Sequence, residues 1–274
     1  MFNIQQIQRS TSQTVDLFHA RYILEYVGVE VLTPTEKKLL QADKVDLSKY
    51  KGRRTQIEES YLFGRSESSV RNKKDFNRLD LKQFRAFMDE NPDLFKLTRE
   101  DRAAIKLAKQ AFANDVRRLA GDIKHDVQQN VIEASKIKGT KRQVLSTIST
   151  KLAENTKRYS GRIELITGYR AHEIFQEGIA QEILQRLGEN AKVYFSVHVD
   201  GCIHCKRVYL KPNGEPRIFY LKTLIRNGNN IGRKAKEYKA SCSPLHPRCR
   251  CKMNLLPSGK IKWSPRQRHY IRIF

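Results

Sequence analysis

Two short groups of cysteine and histidine residues near the carboxy-terminal end constrain the fold of this chain more than any other feature. All five cysteines belong to these groups, which are Cys202-x-x-Cys205 and Cys242-x-x-x-His246-x-x-Cys249-x-Cys251. A spacing of three residues on a turn lets two soft ligands face one point. Two such turns brought together make a tetrahedral site of the structural zinc type. The pattern therefore predicts a small module built around a metal ion.

The expected ligands come from both groups. They are Cys202, Cys205, His246 and Cys249. Cys251 is a substitute for His246, because residues two apart on an extended chain share a face. Cys242 is the poorest candidate, and we expect it to be a packed or free thiol. Two interpretations without a metal stay open, in which the thiols line a small core or pair as disulfides.

The amino-terminal sequence and the hydropathy predict a protein that is made and kept in a cytoplasm. Residues 1–14 are polar and lack the apolar core of a signal peptide. No segment approaches the roughly 18 consecutive apolar residues of a membrane-spanning helix. Reducing conditions favour metal-bound thiolates over disulfides, and five cysteines cannot all pair within one chain. We therefore expect zinc as the cofactor and no membrane association.

Positive charge is concentrated at the carboxy-terminal end. The net charge is +24, and residues 191–274 carry 19 Lys and Arg against three Asp and Glu. Such a field attracts polyanions, among which nucleic acids are the commonest. Residues 228–234 are glycine-rich but lack the Gly-Lys-Ser/Thr ending of a nucleotide-binding loop, so we expect a flexible basic loop. The candidate phosphate contacts are Arg233, Lys234, Lys236, Lys239, Arg248 and Arg250. The alternative is a solvated basic surface without a partner.

Hydrophobic periodicity predicts an α+β protein that is mainly α, with long amphipathic helices followed by a small Cys/His-rich α+β module. We divide the chain into a helical region 1–97 with a basic loop at 48–74, a long-helix bundle or hairpin 98–190, the Cys/His-rich module 191–257 and a basic tail 258–274. The tail is expected to be either an arm for a partner or a disordered terminus.

Capping residues and periodicity also predict individual elements. Thr33 and Thr98 stand at helix starts with an acidic residue three positions later, and Gly188 is expected to close a helix. The middle of the chain predicts three successive amphipathic helices, over 98–135, from 140 onward and over 161–187. Alternating apolar residues then predict strands over 193–199 and 217–221.

The residues around the two groups resemble a known family. Asp-x-Cys-x-x-Cys at 200–205, a basic loop and His-Pro-x-Cys-Arg-Cys at 246–251 together resemble the phage head morphogenesis family, the minor capsid proteins similar to protein F of phage Mu. The preceding helix also fits, with Arg170, Glu173 and Gly178 in the places of the family's Arg-x-x-Glu helix and small-residue segment. His172 departs from the pattern, which has a hydroxyl residue there. The resemblance covers about residues 98–256, and residues 1–97 have no counterpart in it.

The resemblance implies a protein that is not an enzyme and that helps to build the head of a tailed bacteriophage. Members associate with the portal protein or the major capsid protein and are present in a few copies per virion. They lie inside the head or at the portal vertex after assembly in the host cytoplasm. A strongly basic module suits a compartment that fills with DNA. We therefore expect a minor head protein that lies near DNA and has no catalytic residues.

A zinc-stabilised DNA-binding protein or nuclease is the alternative. A Cys-x-x-Cys pair can frame a catalytic hairpin in which His198 or His246 is the general base and Asp200 is a metal ligand or an orienting group. Such a nuclease needs a further His or Asn on the following helix. The segment 206–241 offers Asn213, Asn227, Asn229 and Asn230 for that role.

Overall fold

The computed structural model describes residues 4–69, 81–136, 141–266 and 269–273. These ranges contain eight α-helices and five β-strands, and every strand follows residue 190. The predicted class, α+β and mainly α with long helices before a small Cys/His-rich module, is therefore confirmed. Among the helices of these ranges, none combines the length and the apolar character that a membrane span requires.

Two long helices dominate the middle of the chain. The helices are α1 (Ile4–Val27), α2 (Pro34–Ala42), α3 (Gln56–Ser69), α4 (Leu81–Glu90), α5 (Arg99–Ser135), α6 (Lys141–Leu187), α7 (Ile203–Tyr209) and α8 (Leu221–Asn227). The prediction of two helices after residue 140 was wrong, because α6 is one helix of 47 residues. Gly161 does not interrupt it, since Tyr159 and Ile163 on either side are both buried in one apolar cluster. Gly188 closes α6 as predicted, with a left-handed φ of 75° and its amide donating to the carbonyl oxygen of Leu184.

The chain divides into two compact units that each combine distant segments. One unit comprises Met1–Gln56 and Leu107–Thr167, and the other comprises Ile57–Lys106 and Gly168–Phe274. Each long helix therefore contributes residues to both units. The four consecutive segments expected from the sequence are defined by composition and stay a prediction. The two compact units are defined by contacts between residues that lie far apart in the chain.

The first unit is stabilised by an apolar cluster between α5 and α6 and by an ion pair at the start of α2. Helix α2 starts directly after Thr33, as predicted, and Thr33 and Glu36 form a capping box in which each side chain accepts a hydrogen bond from the other residue's amide. Arg117 of α5 donates to both carboxylate oxygens of Glu36 at 2.9 Å. A two-pronged contact of this kind fixes geometry as well as charge. It therefore sets the position of α2 on α5.

Helix α3, in the second unit, corrects the predicted basic loop at 48–74. Residues 56–69 are helical, and residues 70–74 lie outside the described ranges. The prediction was wrong because the segment, although rich in charged and small residues, has a buried helical face that contains Ile57, Tyr61 and Leu62. Apolar residues at this spacing give a helix one face to bury, whatever the charge on its other faces.

Helices α3 and α6 approach each other so closely that only glycine fits at two positions. A Cβ atom at Gly64 would lie 1.9 Å from the carbonyl oxygen of Phe175, and one at Gly178 would lie 2.2 Å from that of Tyr61. The rings of Phe63 and Phe175 lie beside this crossing, with centroids 5.6 Å apart. The two glycines therefore set the distance between the helices.

Asp101, in the first turn of α5, links this helix to α3 in the second unit. Its side chain is fully buried and accepts hydrogen bonds from the hydroxyl of Tyr61 at 2.6 Å and from the guanidinium of Arg65 at 2.5 Å. The amide of Thr98 donates to it at 2.8 Å, and its own amide donates to the hydroxyl oxygen of Thr98 at 3.2 Å. The predicted capping box at Thr98 is thus confirmed.

A small antiparallel sheet lies beside the end of α6. It consists of β1 (Lys192–Ser196), β2 (Ile218–Tyr220) and β3 (Lys252–Leu255), with β1 in the centre. The first two match the strands predicted near 193 and 217. One face of the sheet is packed into a core with α6 and the cysteines, and the residues that contribute are Val193, Phe195, Phe219, Met253, Leu255, Ile179, Ile183, Cys205, Cys249 and Cys251. The metal-ligand candidates therefore belong to the main core of this unit.

A hairpin of β4 (Ile261–Ser264) and β5 (His269–Arg272) covers part of the other face. Tyr270 is buried, its amide donates to the hydroxyl of Tyr194, and its hydroxyl lies 3.0 Å from both Glu215 Oε1 and the carbonyl oxygen of Pro216. The prediction of an arm or a disordered terminus for the tail was therefore wrong for the described residues. Aromatic residues on an alternating pattern gave the hairpin an apolar side, which packs against Tyr194.

Candidate metal centre

The start of α7 and the loop before β3 position the two Cys/His groups. Cys202 is the N-cap residue of α7, and its sulfur accepts a hydrogen bond from the amide of Cys205 at 3.5 Å. In the second group, the amide of Cys249 donates to the carbonyl oxygen of His246 at 3.0 Å, which closes a tight turn. Arg248, inside this turn, has a left-handed φ of 64°. Each group is therefore presented by a short, hydrogen-bonded piece of backbone.

The structure brings Cys202, Cys205 and His246 together, and it places Cys249 and the substitute Cys251 beside Cys205. The Nε2 atom of His246 lies 3.1 Å from the sulfur of Cys202 and 3.2 Å from that of Cys205. The sulfurs of Cys205 and Cys249 lie 3.8 Å apart. Two overlapping sets of three residues could hold a metal ion. One set is Cys202, Cys205 and His246, and the other is Cys205, Cys249 and Cys251. Cys205 belongs to both sets and is the centre of the cluster.

His246 presents the correct nitrogen to the thiols. Its Nδ1 lies 2.7 Å from the carbonyl oxygen of Pro247, an acceptor, so Nδ1 carries the proton and Nε2 carries the lone pair. A hydrogen bond from the second ring nitrogen to a carbonyl is the usual support of a metal-binding histidine. The turn that contains Pro247 therefore fixes the tautomer that a metal requires.

The buried thiols share negative charge through hydrogen bonds. Hydrogen bonds from the thiols of Cys205 and Cys251 lower the pKa of Cys249, whereas the hydrogen bond to Cys249 raises the pKa of Cys205. Such a cluster favours one thiolate, because several uncompensated charges in one buried place repel each other. A divalent cation supplies the missing positive charge, and its binding releases the remaining thiol protons. The arrangement is thus suited to a cation.

Helix α6 forms hydrogen bonds with the backbone at Cys251, the last residue of the second Cys/His group. The side-chain amide of Gln176 donates to the carbonyl oxygen of Cys251 at 2.6 Å, and its oxygen accepts from the amide of Met253 at 3.0 Å. His172 Nε2 lies 3.1 Å from the same carbonyl oxygen of Cys251. Gln176 was not among the functional residues expected from the sequence. Its spacing of four residues from His172 on one helix face is the signal that points to a shared contact.

Cys242 lies outside both metal-binding groups. It is 8% exposed, and burial, aided by the charge of Glu177, raises the pKa of its thiol to about 12. A neutral buried thiol behaves as a small apolar side chain. Cys242 therefore belongs to the core and provides a matched control for substitutions of the other cysteines.

The loop at 228–240 carries four of the predicted phosphate contacts, and side-chain hydrogen bonds join it together, including residues 228–234, for which we expected a flexible loop. The buried Asn230 side chain joins its two ends, since Nδ2 donates to the carbonyl oxygen of Lys239 and Oδ1 accepts from the amide of Lys239. Asn227 donates to the carbonyl oxygen of Ala240 at 2.7 Å. Arg233 is half-buried and donates to the carbonyl oxygen of Asn227, so part of its role is structural. The asparagines, and not the glycines, determine the shape of this loop, because their partners are backbone groups 9 and 13 residues away.

The remaining basic candidates are exposed. Lys234, Lys236, Lys239, Arg248 and Arg250 all have exposed side chains. Arg248 and Arg250 line the same cavity as the cysteines, together with His198 and Asp200. The metal-ligand candidates therefore lie beneath two arginines, while the three lysines lie on the separate loop.

The asparagines of the nuclease alternative are used in other ways, whereas Nδ1 of His198 lies 3.5 Å from Oδ2 of Asp200. The amide of Asp200 donates to Nδ1 of His198, which makes this nitrogen an acceptor. All four asparagines of the segment 206–241 form side-chain hydrogen bonds with backbone groups, and they are Asn213, Asn227, Asn229 and Asn230. In this structure none of these four side chains is oriented as the partner of a general base.

Comparisons of the chain with protein-family models, with curated proteins and with solved structures each gave no match. The geometry of the cluster and the sequence pattern therefore carry the functional argument.

Proposed function

We propose that the carboxy-terminal module is stabilised by one structural zinc ion and that the chain is a minor head protein of a tailed bacteriophage. The observation that carries the first part is the convergence of Cys202, Cys205 and His246 Nε2, with Cys249 and Cys251 beside them. Thiolate and imidazole ligands in a closed group of four favour zinc over harder cations. Of the five candidates, Cys202, Cys205, His246 and Cys249 form the proposed ligand set.

The head-protein role is supported by the way the resembling pieces fit together. The pattern Asp-x-Cys-x-x-Cys and the pattern His-Pro-x-Cys-Arg-Cys lie far apart in sequence but converge in one cluster. The helical part of the resemblance, with Arg170, Glu173 and Gly178, belongs to the same unit as the cluster. Pieces that resemble one family thus form one structural module. Virion location, portal or capsid association and proximity to DNA follow from the resemblance.

A structural role fits the site better than a nuclease role. The cysteines are mostly buried in the core of the unit, and a structural zinc site is closed by its four protein ligands. The asparagines that a nuclease would use are bound to loop backbone. We therefore assign no residue a catalytic role.

Elemental analysis of the full chain, purified under reducing conditions, tests the metal. We expect about one zinc per chain, loss of that zinc in Cys205→Ser and full retention in Cys242→Ser. The matched pair separates ligand loss from thiol loss, since both thiols are buried. Absence of metal from the wild-type protein, or equal loss in both variants, would contradict the zinc site.

Assembly experiments in the phage that encodes the chain test the head role. We expect the chain in purified heads in a few copies, and we expect fewer DNA-filled heads when Cys205→Ser replaces the wild-type gene. Cys242→Ser is again the control. Heads that lack the chain and that assemble normally without it would refute the head role, whatever the metal content of the purified protein.

A further inference from the structure

Helix α7 connects the metal centre to the basic loop at 228–240. Cys202 and Cys205 lie at the start of α7. Further along the helix, the guanidinium of Arg207 donates to the carbonyl oxygen of Ala235 at 2.5 Å, and the ring of His204 contacts the ring of Tyr238 edge-on with centroids 6.1 Å apart. The same seven-residue helix therefore bears two metal-ligand candidates and two contacts to the loop.

The loop presents positive charge that is not neutralised. Lys234, Lys236 and Lys239 are exposed, and none of them forms an ion pair within the described residues. Glu237 is the only acidic residue between 228 and 240. Because Asn230 ties Lys239 across the loop, the lysines occupy a backbone whose shape is fixed in advance. A binding surface that is already ordered loses less conformational entropy when a partner binds.

We propose that α7 and the loop 228–240 form a surface that binds the phosphate backbone of nucleic acid, and that the metal centre holds this surface in shape. The second half of the proposal rests on the metal site of the proposed function, whereas neither half depends on head assembly. Lysine ammonium groups along a loop suit a chain of phosphates and carry no base-specific readout. Binding is therefore expected to be independent of base sequence.

The composition of the loop favours nucleic acid over a lipid surface. Membrane-binding elements combine basic residues with several apolar side chains that insert below the headgroups. Ile231 in the loop and Ile203 at the start of α7 are the large apolar side chains of this surface that are prominently exposed. Two apolar side chains on different elements supply little membrane affinity, so the exposed charge favours a polyanion in solution.

Salt-dependent binding of a duplex DNA to the full, metal-loaded chain tests the surface. The variant Lys234→Gln/Lys236→Gln/Lys239→Gln removes three cations, and Lys38→Gln/Lys49→Gln/Lys51→Gln removes three exposed cations from the other unit. Three lost phosphate contacts reduce the slope of log Kd against log salt by about 2.7, so the wild-type affinity falls about 40-fold more than that of the loop variant between 50 and 200 mM salt. Equal effects of the two triple variants would overturn the surface.

Two substitutions that leave the loop lysines in place test whether the fixed shape of the loop matters for binding. Arg207→Lys removes the guanidinium contact to Ala235, and Asn230→Ala removes the tie to Lys239. We expect both variants to keep their metal and to bind the duplex at least about fivefold more weakly, because the lysines no longer have a fixed spacing. Unchanged affinity in both variants would overturn the role of a preset shape.

Chelation and competition complete the test. Removal of the metal from the wild-type chain is expected to weaken duplex binding more than it weakens binding by the loop variant. Lysine-dependent binding that survives chelation would overturn the link to the metal and leave the phosphate surface standing. Competition by poly-glutamate, or by vesicles with anionic lipids, at the same charge concentration as DNA would overturn nucleic acid as the partner.

Discussion

The side-chain amide of Gln176 donates a 2.6 Å hydrogen bond to the carbonyl oxygen of Cys251. This bond joins the last third of a 47-residue helix to the turn that carries the second Cys/His group. Gln176 is 1% exposed, and it also accepts a hydrogen bond from the amide of Met253. The position of the second group is thus set by a residue 75 positions earlier in the chain.

Substitution of Gln176 by leucine is expected to destabilise the second unit by about 1–3 kcal/mol, because it leaves the amide of Met253 without this partner and the carbonyl oxygen of Cys251 with His172 alone. Denaturant unfolding of the full chain measures this change. Gln128→Leu, at an exposed position of α5, is the control. An equal loss in both variants would show that the contact to Cys251 contributes nothing.

The fourth ligand can be identified by comparing His246→Ala with Cys251→Ala. If Cys202, Cys205, His246 and Cys249 hold the ion, His246→Ala lowers zinc affinity by about 100-fold or more, which exceeds the effect of losing a group that only hydrogen-bonds to a ligand. Cys251→Ala changes it much less. Competition with a chromogenic chelator gives both affinities, and the opposite order would make Cys251 the fourth ligand in place of His246.

Alanine at Gly64 or Gly178 is expected to destabilise the second unit by about 1–3 kcal/mol or more, since each new methyl group meets a backbone carbonyl that cannot rotate away. Gly168→Ala is the matched control within α6. Its Cβ would have no neighbour within 4 Å, so helix propensity alone predicts a gain of up to about 1 kcal/mol. Thermal unfolding of the three variants distinguishes these outcomes.

Acid is expected to destabilise the first unit through His19. This residue of α1 is 3% exposed, and its Nε2 has no hydrogen-bond partner among the described residues. Burial lowers its pKa below 6.5, against smaller effects of the carbonyl oxygen of Val15 and of Asp16 that raise it. As the pH falls through 6.5, the unfolded chain takes up a proton that the folded chain does not, so the free energy of unfolding decreases.

The variant His19→Gln tests this dependence because it keeps a hydrogen-bond donor near Val15 but does not titrate. The difference in unfolding free energy between wild type and variant is expected to change with pH between about 6.5 and 5, where the unfolded histidine becomes charged. A difference that stays constant over this range would mean that His19 is protonated equally in both states.

Local signals in the sequence were sufficient for several elements. The caps at Thr33 and Thr98 form as predicted, because a hydroxyl and a carboxylate three residues apart satisfy amides within one turn. Gly188 ends α6 for a similarly local reason. The loop predicted at 48–74 was wrong over residues 56–69, which form a helix. The composition of the segment is typical of a loop, but the spacing of Ile57 and Tyr61 indicates a buried helical face.

What the sequence determined by itself was the mainly helical α+β class, the concentration of positive charge and the residues from which a metal site can be made, since each depends on residue type and short spacing. Only the tertiary structure decided that Cys205 is shared by the two sets of possible metal ligands, that Gln176 binds the carbonyl oxygen of Cys251, and that the tail forms a hairpin that packs against Tyr194. These relationships join residues tens of positions apart. They depend on which apolar faces pack together, and no local pattern encodes that choice.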